Sequence, residues 1–391
     1  MTGSDHPKPE PGRKLSRRSM LAGTAVGAAA GVGGFVVGRQ TSNDPSPGAP
    51  EQGVPVEARG ATQAGVDRPA ARQLHALFVV VDLPVRNRWE VAALLGGLGG
   101  EVLTLTDPER PVDRVTPDGA GDLTVTVGVG PRLVRLAGAD LPGVDPLPRF
   151  VGDADVPDRL HGGDLLLAAH ASDSSLLDRV SDHLLAGLDG AAVRWAQHGV
   201  RGIGPLGLSR NPLGYLDGIV VPRTPEEMAE NVWIADGPAR SGTICVLRRL
   251  RLDVHRFTAE SPTRQDAIIG RKRSDGSPLS GGRTTDPVDL GAKTDDGSYL
   301  VPARSHARAA HPSFTGSGTM LRRSYPYVNG TSERGLLFVS FQRDLDTFVR
   351  TQHRLDDIDD LMGYTTPTAS GSFLVLPGFD AHLPLGAGLF G

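Results

Sequence analysis

The chain has 391 residues, enough for two domains and a sizeable core. Its formal net charge of −4 at pH 7 gives no electrostatic reason to expect nucleic acid or an anionic membrane surface as a partner. The one cysteine, Cys245, excludes an intramolecular disulfide framework and any cysteine-rich zinc or iron–sulfur site.

The N-terminal segment is typical of an export signal. A basic stretch precedes an uncharged one over 20–38, which is rich in Ala and Gly and too weakly apolar for a stable membrane span. The junction fits the twin-arginine pattern, Ser16-Arg17-Arg18-Ser19-Met20-Leu21. We therefore predict a signal segment over 1–40, the twin-arginine translocase as a partner, and an extracellular, cell-wall or periplasmic destination. A chance arginine pair in a basic tail is the alternative.

A linker and a first group of elements follow. Residues 41–67 are rich in Pro, Gly and Ser, which predicts a disordered linker. Hydrophobic patterns then predict two helices, over 86–98 and 174–185, and four strands, over 74–83, 102–105, 123–129 and 164–169. Antiparallel strands alternating with two helices are typical of a ferredoxin-like unit, and a generic α+β sandwich is the alternative.

The central motif is Gly214-Tyr215-Leu216-Asp217-Gly218. Taken alone, this string also fits a tight turn in which Asp217 hydrogen-bonds to its own backbone. Glycines on both sides of a carboxylate allow the backbone to approach a flat cofactor closely.

A similar order of elements recurs after the motif. The patterns predict strands over 242–252, 322–327 and 336–341 and helices over 261–269 and 345–355, with Cys245 buried in the first strand. The polar, glycine-rich segment 272–303 has no period, and we expect it to form a wall of a pocket.

Two further motifs lie in this half, Ser305-His306-Ala307-Arg308 and Leu321-Arg322-Arg323. A histidine, a carboxylate and an arginine are the groups that a haem peroxidase needs on the two faces of its iron.

Four segments, in the same order and with similar spacing, resemble those of the dye-decolourising peroxidases. They are 210–218, 305–312, 321–327 and 335–342, and the likeness extends from about residue 64 to the C-terminus. The chain is most similar to the twin-arginine-exported, deferrochelatase-like branch. Phe257 stands where tryptophan is expected and Ile219 where threonine is common, which leaves the substrate preference open.

The resemblance implies an α+β fold of two ferredoxin-like β-sheet domains with peripheral helices, of the dimeric α+β barrel type. Residues 68–222 would form the N-terminal domain, which ends with the Asp217 motif. Residues 223–391 would form the C-terminal domain and hold one haem b.

The resemblance also implies the roles of individual residues. His306 would be the proximal ligand of the haem iron, and Asp359 would accept the second N–H of its ring. Asp217 would transfer protons on the open face, and Arg322 would stabilise the developing charge there. Strand alternation would turn Arg323 to the opposite face.

Arg271 resembles the arginine that neutralises a haem propionate. The remaining positions that the resemblance places around the haem are Gly218, Ile219, Val220, His311, Pro312 and Ser313.

These roles predict a haem b peroxidase that reduces hydrogen peroxide and oxidises bulky phenols or dyes. A haem-handling or iron-supply protein with little peroxidase turnover is the alternative. Chlorite dismutase-like activity is disfavoured because that related fold lacks the distal aspartate. The sequence leaves a homo-oligomer open.

Overall fold

In the computed structural model, which describes residues 53–138 and 145–390, antiparallel strands form one continuous nine-stranded sheet. Residues 1–40, the predicted signal, lie outside the described residues. Within the described part, no helix combines the length and the apolar character that a membrane span needs.

The N-terminal half has the element order of a ferredoxin-like unit, with one additional helix. Its strands are arranged β4-β1-β3-β2. The elements are β1 (His75–Asp82), α1 (Arg88–Leu105), β2 (Thr124–Val129), α2 (Pro131–Ala137), β3 (Leu165–Ala171), α3 (Ser175–Ala186) and β4 (Ala192–Val200).

The predicted strand over 102–105 is wrong, because these residues form the last turn of α1. The buried residues of α1 include Val91, Leu95, Leu98, Val102 and Leu105, which recur at helical spacing and continue one apolar face. Glycines inside the helix hide this period in the sequence.

The C-terminal half repeats the strand order as β11-β7-β10-β8, with β9 also paired to β10. Its elements are β5 (Ser209–Arg210), β6 (Leu216–Asp217), α4 (Pro225–Asn231), β7 (Thr243–Leu252), α5 (Val254–Ala259), α6 (Pro262–Ile269), α7 (His306–Ala309), α8 (Pro312–Thr315), β8 (Leu321–Arg322), β9 (Tyr325–Asn329), β10 (Glu333–Gln342), α9 (Leu345–Ile358) and β11 (Thr365–Val375). The predicted α+β class is confirmed. The strand predicted over 322–327 is divided between β8 and β9, and the sequence patterns did not predict β4 or β11.

The two halves share the sheet through β2 and β11, where Val129 pairs with Leu374. At the far ends, the side-chain amide of Gln197 on β4 donates to Asn329 on β9 at 3.1 Å. Gly199 permits this approach, since a Cβ there would lie 2.6 Å from the Cβ of Tyr325. The outer strands of the two halves therefore meet, and a core of apolar side chains from both halves fills the space between them.

The predicted linker extends too far into the folded part. Gln63 is buried, and its side-chain amide donates to the carbonyls of Val127 and Leu376, both at 3.0 Å. The N–H of Val127 donates back to Gln63 Oε1 at 2.9 Å. Because Gln63 completes these backbone hydrogen bonds, the folded part includes residues before 68.

His170 on β3 lies fully inside this core, between Phe78 and Tyr325, with ring centroids 5.4 Å from each. Burial, together with the charge of Arg323, lowers the pKa of His170 to about 3 from an ordinary 6.5. The folded protein therefore keeps this imidazole neutral where the unfolded chain protonates it.

We predict that His170 makes the fold sensitive to acid. Unfolding takes up a proton between pH 6.5 and about 3, so stability from this group is complete above that window and falls on acidification. The loss amounts to about 1.4 kcal/mol per pH unit. Denaturant unfolding at several pH values should show a shallower acid slope in His170→Phe, whereas the exposed control His382→Phe should keep the native slope. Equal slopes in all three proteins would contradict the prediction.

Candidate functional site

A cavity of about 420 Å³ lies between the Asp217 motif, α6, α7, α9 and the strands β7, β8 and β10. This volume is within the range of about 300–1,000 Å³ that is usual for small-molecule sites. Nine of the residues singled out in the sequence line it: Asp217, Gly218, Ile219, Val220, Arg271, His306, His311, Pro312 and Arg322.

Two of the residues assigned to the haem site do not line the cavity. Ser313 lies in the first turn of α8, where its N–H donates to His311 Nδ1 at 3.2 Å. Asp359 lies behind His306, with a side chain that is completely buried.

His306 is held by that buried carboxylate. Its Nδ1 lies 2.6 Å from Asp359 Oδ2, and Asp359 Oδ1 accepts the N–H of Leu361 at 2.8 Å. Both carboxylate oxygens are thus occupied, which fixes the ring of His306. Since Nδ1 faces Asp359, Nε2 is the nitrogen that remains for the cavity.

The Asp217 motif is a short hairpin in which β5 pairs with β6. The Asn211 side chain accepts the N–H groups of Leu213 and Tyr215, at 3.0 and 3.1 Å, which closes the turn. Gly214 and Gly218 have φ of +89° and +78°, values that favour glycine. Asp217 Oδ1 accepts the N–H of Gly218 at 2.7 Å, as in the turn that was the alternative interpretation, and Asp217 also lines the cavity.

The hairpin is attached to α6 and to the segment after it. The hydroxyl of Tyr215 donates to Asp266 at 2.6 Å, and burial together with that carboxylate raises the pKa of Tyr215 far above its ordinary value. Asp266 also accepts the N–H of Arg273 at 3.0 Å. Arg210 donates to the carbonyls of Gly214 and Arg273, both at 2.6 Å.

Arg271 and Arg322 are two of the three arginines that line the cavity. Arg271 donates to the carbonyls of Gly276 and Thr284 at 3.0 Å and of Asp286 at 3.1 Å. Burial and the nearby charge of Arg322 lower the pKa of Arg271. The site therefore places positive charge where it can attract an anionic group.

The neighbour of Arg322 points the other way, as strand alternation predicts. Arg323 is buried outside the cavity lining and donates to the carbonyls of Gly65, Val66 and Pro69, at 3.2, 2.5 and 2.7 Å. The segment 272–303 contributes Pro287 and Val288 to the lining, so it forms part of the wall as expected.

Sequence reasoning missed Arg248 on β7, a charged residue of the lining. It pairs with Asp153, and the two side chains are 2% and 0% exposed. Its guanidinium also lies 5.1 Å from the ring centroid of Phe150. The three arginines of the otherwise apolar strand β7 indicate that the protein interior contains a charged group there. The pattern does not tell which of the three side chains points into the interior.

The residues present fit a haem group. Most of the lining is apolar, which suits a flat hydrophobic macrocycle, and Arg271 and Arg322 suit its carboxylate side chains. His306 offers one imidazole nitrogen to the cavity while its other nitrogen contacts a buried carboxylate, the arrangement usual for a histidine that binds a metal.

Comparison with known proteins gives the family. Sequence models described as "Dyp-type peroxidase, N-terminal" and "Dyp-type peroxidase, C-terminal" match residues 63–201 and 208–380. A crystal structure of a DyP-type peroxidase from Cellulomonas bogoriensis has a TM-score of 0.79 and 32% identity, covering 86% of this chain and 98% of that one.

Two curated relatives carry different names. A dye-decolorizing peroxidase from Thermobifida fusca is 29% identical in an alignment of 415 positions, which covers 94% of this chain and 96% of the relative. A deferrochelatase from Escherichia coli is 28% identical in an alignment of 419 positions, which covers 96% of each chain.

The fold and the site are those of a haem enzyme of the peroxidase class. The chain belongs to the Dyp-type peroxidase family. It is therefore an oxidoreductase that acts on hydrogen peroxide, with haem as its cofactor.

Proposed function

We propose that the protein is a haem b peroxidase of the dye-decolourising type, with His306 as the iron ligand, Asp217 as the acid–base group and Arg322 as the stabilising cation. One observation carries the proposal: a single cavity is lined by His306, backed by the buried Asp359, and also by Asp217 and Arg322. The substrates would be hydrogen peroxide and bulky phenols or dyes.

When bound, haem supplies the redox-active iron at which the O–O bond of hydrogen peroxide is broken. His306 would hold the iron through Nε2. Asp359 would accept the hydrogen on Nδ1, which orients the ring and makes it a stronger electron donor. Arg271 would lie against a carboxylate side chain of the haem, because it is a buried cation that lines the cavity.

Asp217 would accept the proton of one peroxide oxygen and deliver it to the other, which leaves as water. A carboxylate can do both, because the proton that it accepts makes it the acid for the second transfer, and giving up that proton restores the carboxylate. Arg322 would stabilise the negative charge that develops on the leaving oxygen before that proton arrives. Arginine suits this task because it stays protonated.

A haem-handling or iron-supply function is the second candidate, since several curated relatives are named deferrochelatase. The presence of both Asp217 and Arg322 on the cavity favours the peroxidase, because a carrier has no need of an acid–base group beside a cation. The identity to the two named relatives is similar, 29% and 28%, and gives no preference.

The twin-arginine motif at Arg17 and Arg18 supports export of the folded chain. This route suits a protein that acquires a bulky cofactor before it crosses the membrane. We therefore infer an extracellular, cell-wall or periplasmic location, with haem loaded in the cytoplasm.

We predict that His306→Ala loses or weakens haem retention, because it removes the nitrogen that would hold the iron. The haem-to-protein absorbance ratio of the purified protein measures this, with the exposed His382→Ala as control.

Asp359→Asn should retain haem but lower the frequency of the iron–histidine stretch in resonance Raman spectra, since the amide is a poorer acceptor. Asp357→Asn on the exposed side of α9 is its matched control. A normal histidine-ligated spectrum in His306→Ala would show that the ligand is another residue.

We predict that Asp217→Asn and Arg322→Leu slow the reaction with hydrogen peroxide while haem content stays normal. The expected losses are about 10²–10⁴-fold for the acid–base group and about 10²–10³-fold for the cation. Stopped-flow absorbance at several pH values should show that Asp217→Asn abolishes the acid-side dependence and that Arg322→Leu keeps it, because arginine does not titrate in this range. The double variant need not show the product of the two losses. Native rates in both single variants would favour the haem-handling function.

We predict that replacing Arg17 and Arg18 together by Lys retains the protein in the cytoplasm, with haem already bound. Cell fractionation and the absorbance spectrum of the cytoplasmic pool are the measurements. Export of the double variant at the native level would point to another route.

A further inference from the structure

Arg72 lies against the Asp217 motif from outside the cavity lining. It precedes β1 in the N-terminal half, yet its Nη2 lies 2.8 Å from where a Cβ on Gly218 would be. Gly218 has φ of +78°, so the position favours glycine for two reasons, its conformation and this contact. The guanidinium therefore packs directly on the backbone that follows Asp217.

The backbone that carries Arg72 is held in place. The side-chain amide of Gln73 donates to the Asp122 carbonyl at 2.9 Å and to the Thr124 hydroxyl at 3.1 Å. The Tyr325 hydroxyl donates to the carbonyl of Gln73 at 3.0 Å. Arg72 is thus presented to Gly218 by a buried and hydrogen-bonded segment.

Charges around Arg72 are unbalanced. Burial and the like charges of Arg323 and Arg201 lower the pKa of Arg72 to about 9, while Asp217 and Tyr325 act in the opposite direction. Arg323 and Arg201 have their own partners, backbone carbonyls that include those of Val66 and Gly207. The carboxylate that stabilises the Arg72 cation is that of Asp217.

We propose that Arg72 is a positioning residue for Asp217: its guanidinium packs on Gly218, which fixes the carboxylate at the cavity wall, and this contact places a positive charge beside the Asp217 motif. Attraction between opposite charges is mutual, so a cation held on the backbone of Gly218 also acts on the carboxylate of Asp217. The inference rests on the proposed role of Asp217.

Other charged groups act on Asp217 besides Arg72. Arg201 follows β4 and interacts with the same carboxylate, and Arg322 lines the same cavity. Arg323 and Tyr325 act on Arg72 from β9 and the residues before it. Removing Arg72 would leave Arg201 and Arg322 in place, so the effect should be a partial shift and not a complete loss.

Binding of cyanide to the ferric holoprotein tests the proposal without turnover. Hydrogen cyanide must give up a proton on binding, so the binding rate reports whether the distal base is free to accept it. The binding rate falls at low pH, where the distal base is protonated, and we call this fall the acid limb. In Arg72→Gln we expect the acid limb to move up by about one pH unit, which is the low end of the pKa shift that one nearby charge produces. Arg72→Lys, which keeps a positive charge, should recover most of the shift.

Arg223→Gln is the matched control for mechanical loosening of the turn. Arg223 donates to the carbonyls of Gly218 and Ile219, at 3.2 and 3.1 Å, so its loss frees the same backbone but leaves the Arg72 charge. Its acid limb should stay at the native pH. Circular dichroism and haem content verify that each variant is folded.

The outcomes separate this inference from the proposed function. A limb that persists in Asp217→Asn overturns the role of Asp217 and this inference with it. A limb that is lost in Asp217→Asn but unmoved in Arg72→Gln overturns only the inference. An equal shift in Arg223→Gln also overturns it, because the turn and not the charge would then control Asp217.

Discussion

The contact between His306 and the buried carboxylate of Asp359 is the constraint on which the site depends. Asp359 follows α9, and both of its oxygens are occupied, by the imidazole and by the N–H of Leu361. A buried carboxylate needs such partners, since an unpaired one would be costly. The pair therefore joins α7 to the end of α9 and leaves one ring nitrogen for the cavity. The junction therefore fixes the side of the cavity that His306 lines.

The N-terminal half contributes to the site although few of its residues line the cavity. The segment 65–69 accepts hydrogen bonds from Arg323, and Arg72 packs on Gly218. These contacts connect segment 65–72 to the residue that follows β8 and to the end of the Asp217 hairpin. The sheet joins the same two halves through β2 and β11. The halves are thus coupled through backbone pairing and through buried arginines, which explains why the hairpin can be short and still be fixed.

The buried arginines of the described residues have two kinds of partner. Arg248 has a carboxylate partner in Asp153, whereas Arg323 and Arg271 donate to backbone carbonyls. Carbonyl partners satisfy the donors but do not cancel the charge, so these cations still produce a positive potential at the cavity. That potential suits the carboxylates of a haem and the developing charge of a reacting peroxide. The same potential acts on the acidic groups nearby, above all on Asp217, so their electrostatic environment is set by residues far away in the sequence.

The sequence by itself determined the α+β class, most strands, the four longest helices, and the motifs that contain His306, Asp217 and Arg322. Hydrophobic periodicity and short motifs are local properties of the chain, so they can be recognised without the fold. The sequence patterns misassigned 102–105, where glycines hide the helical period, and they missed β11, whose small polar residues become a strand only by pairing with β7. Only the tertiary structure decided which arginine of β7 turns inward, that Gln63 belongs to the fold, and that Arg72 contacts Gly218. Each of these is a contact between residues that are distant in the chain. A local sequence pattern contains no information about which distant residues come close in the fold.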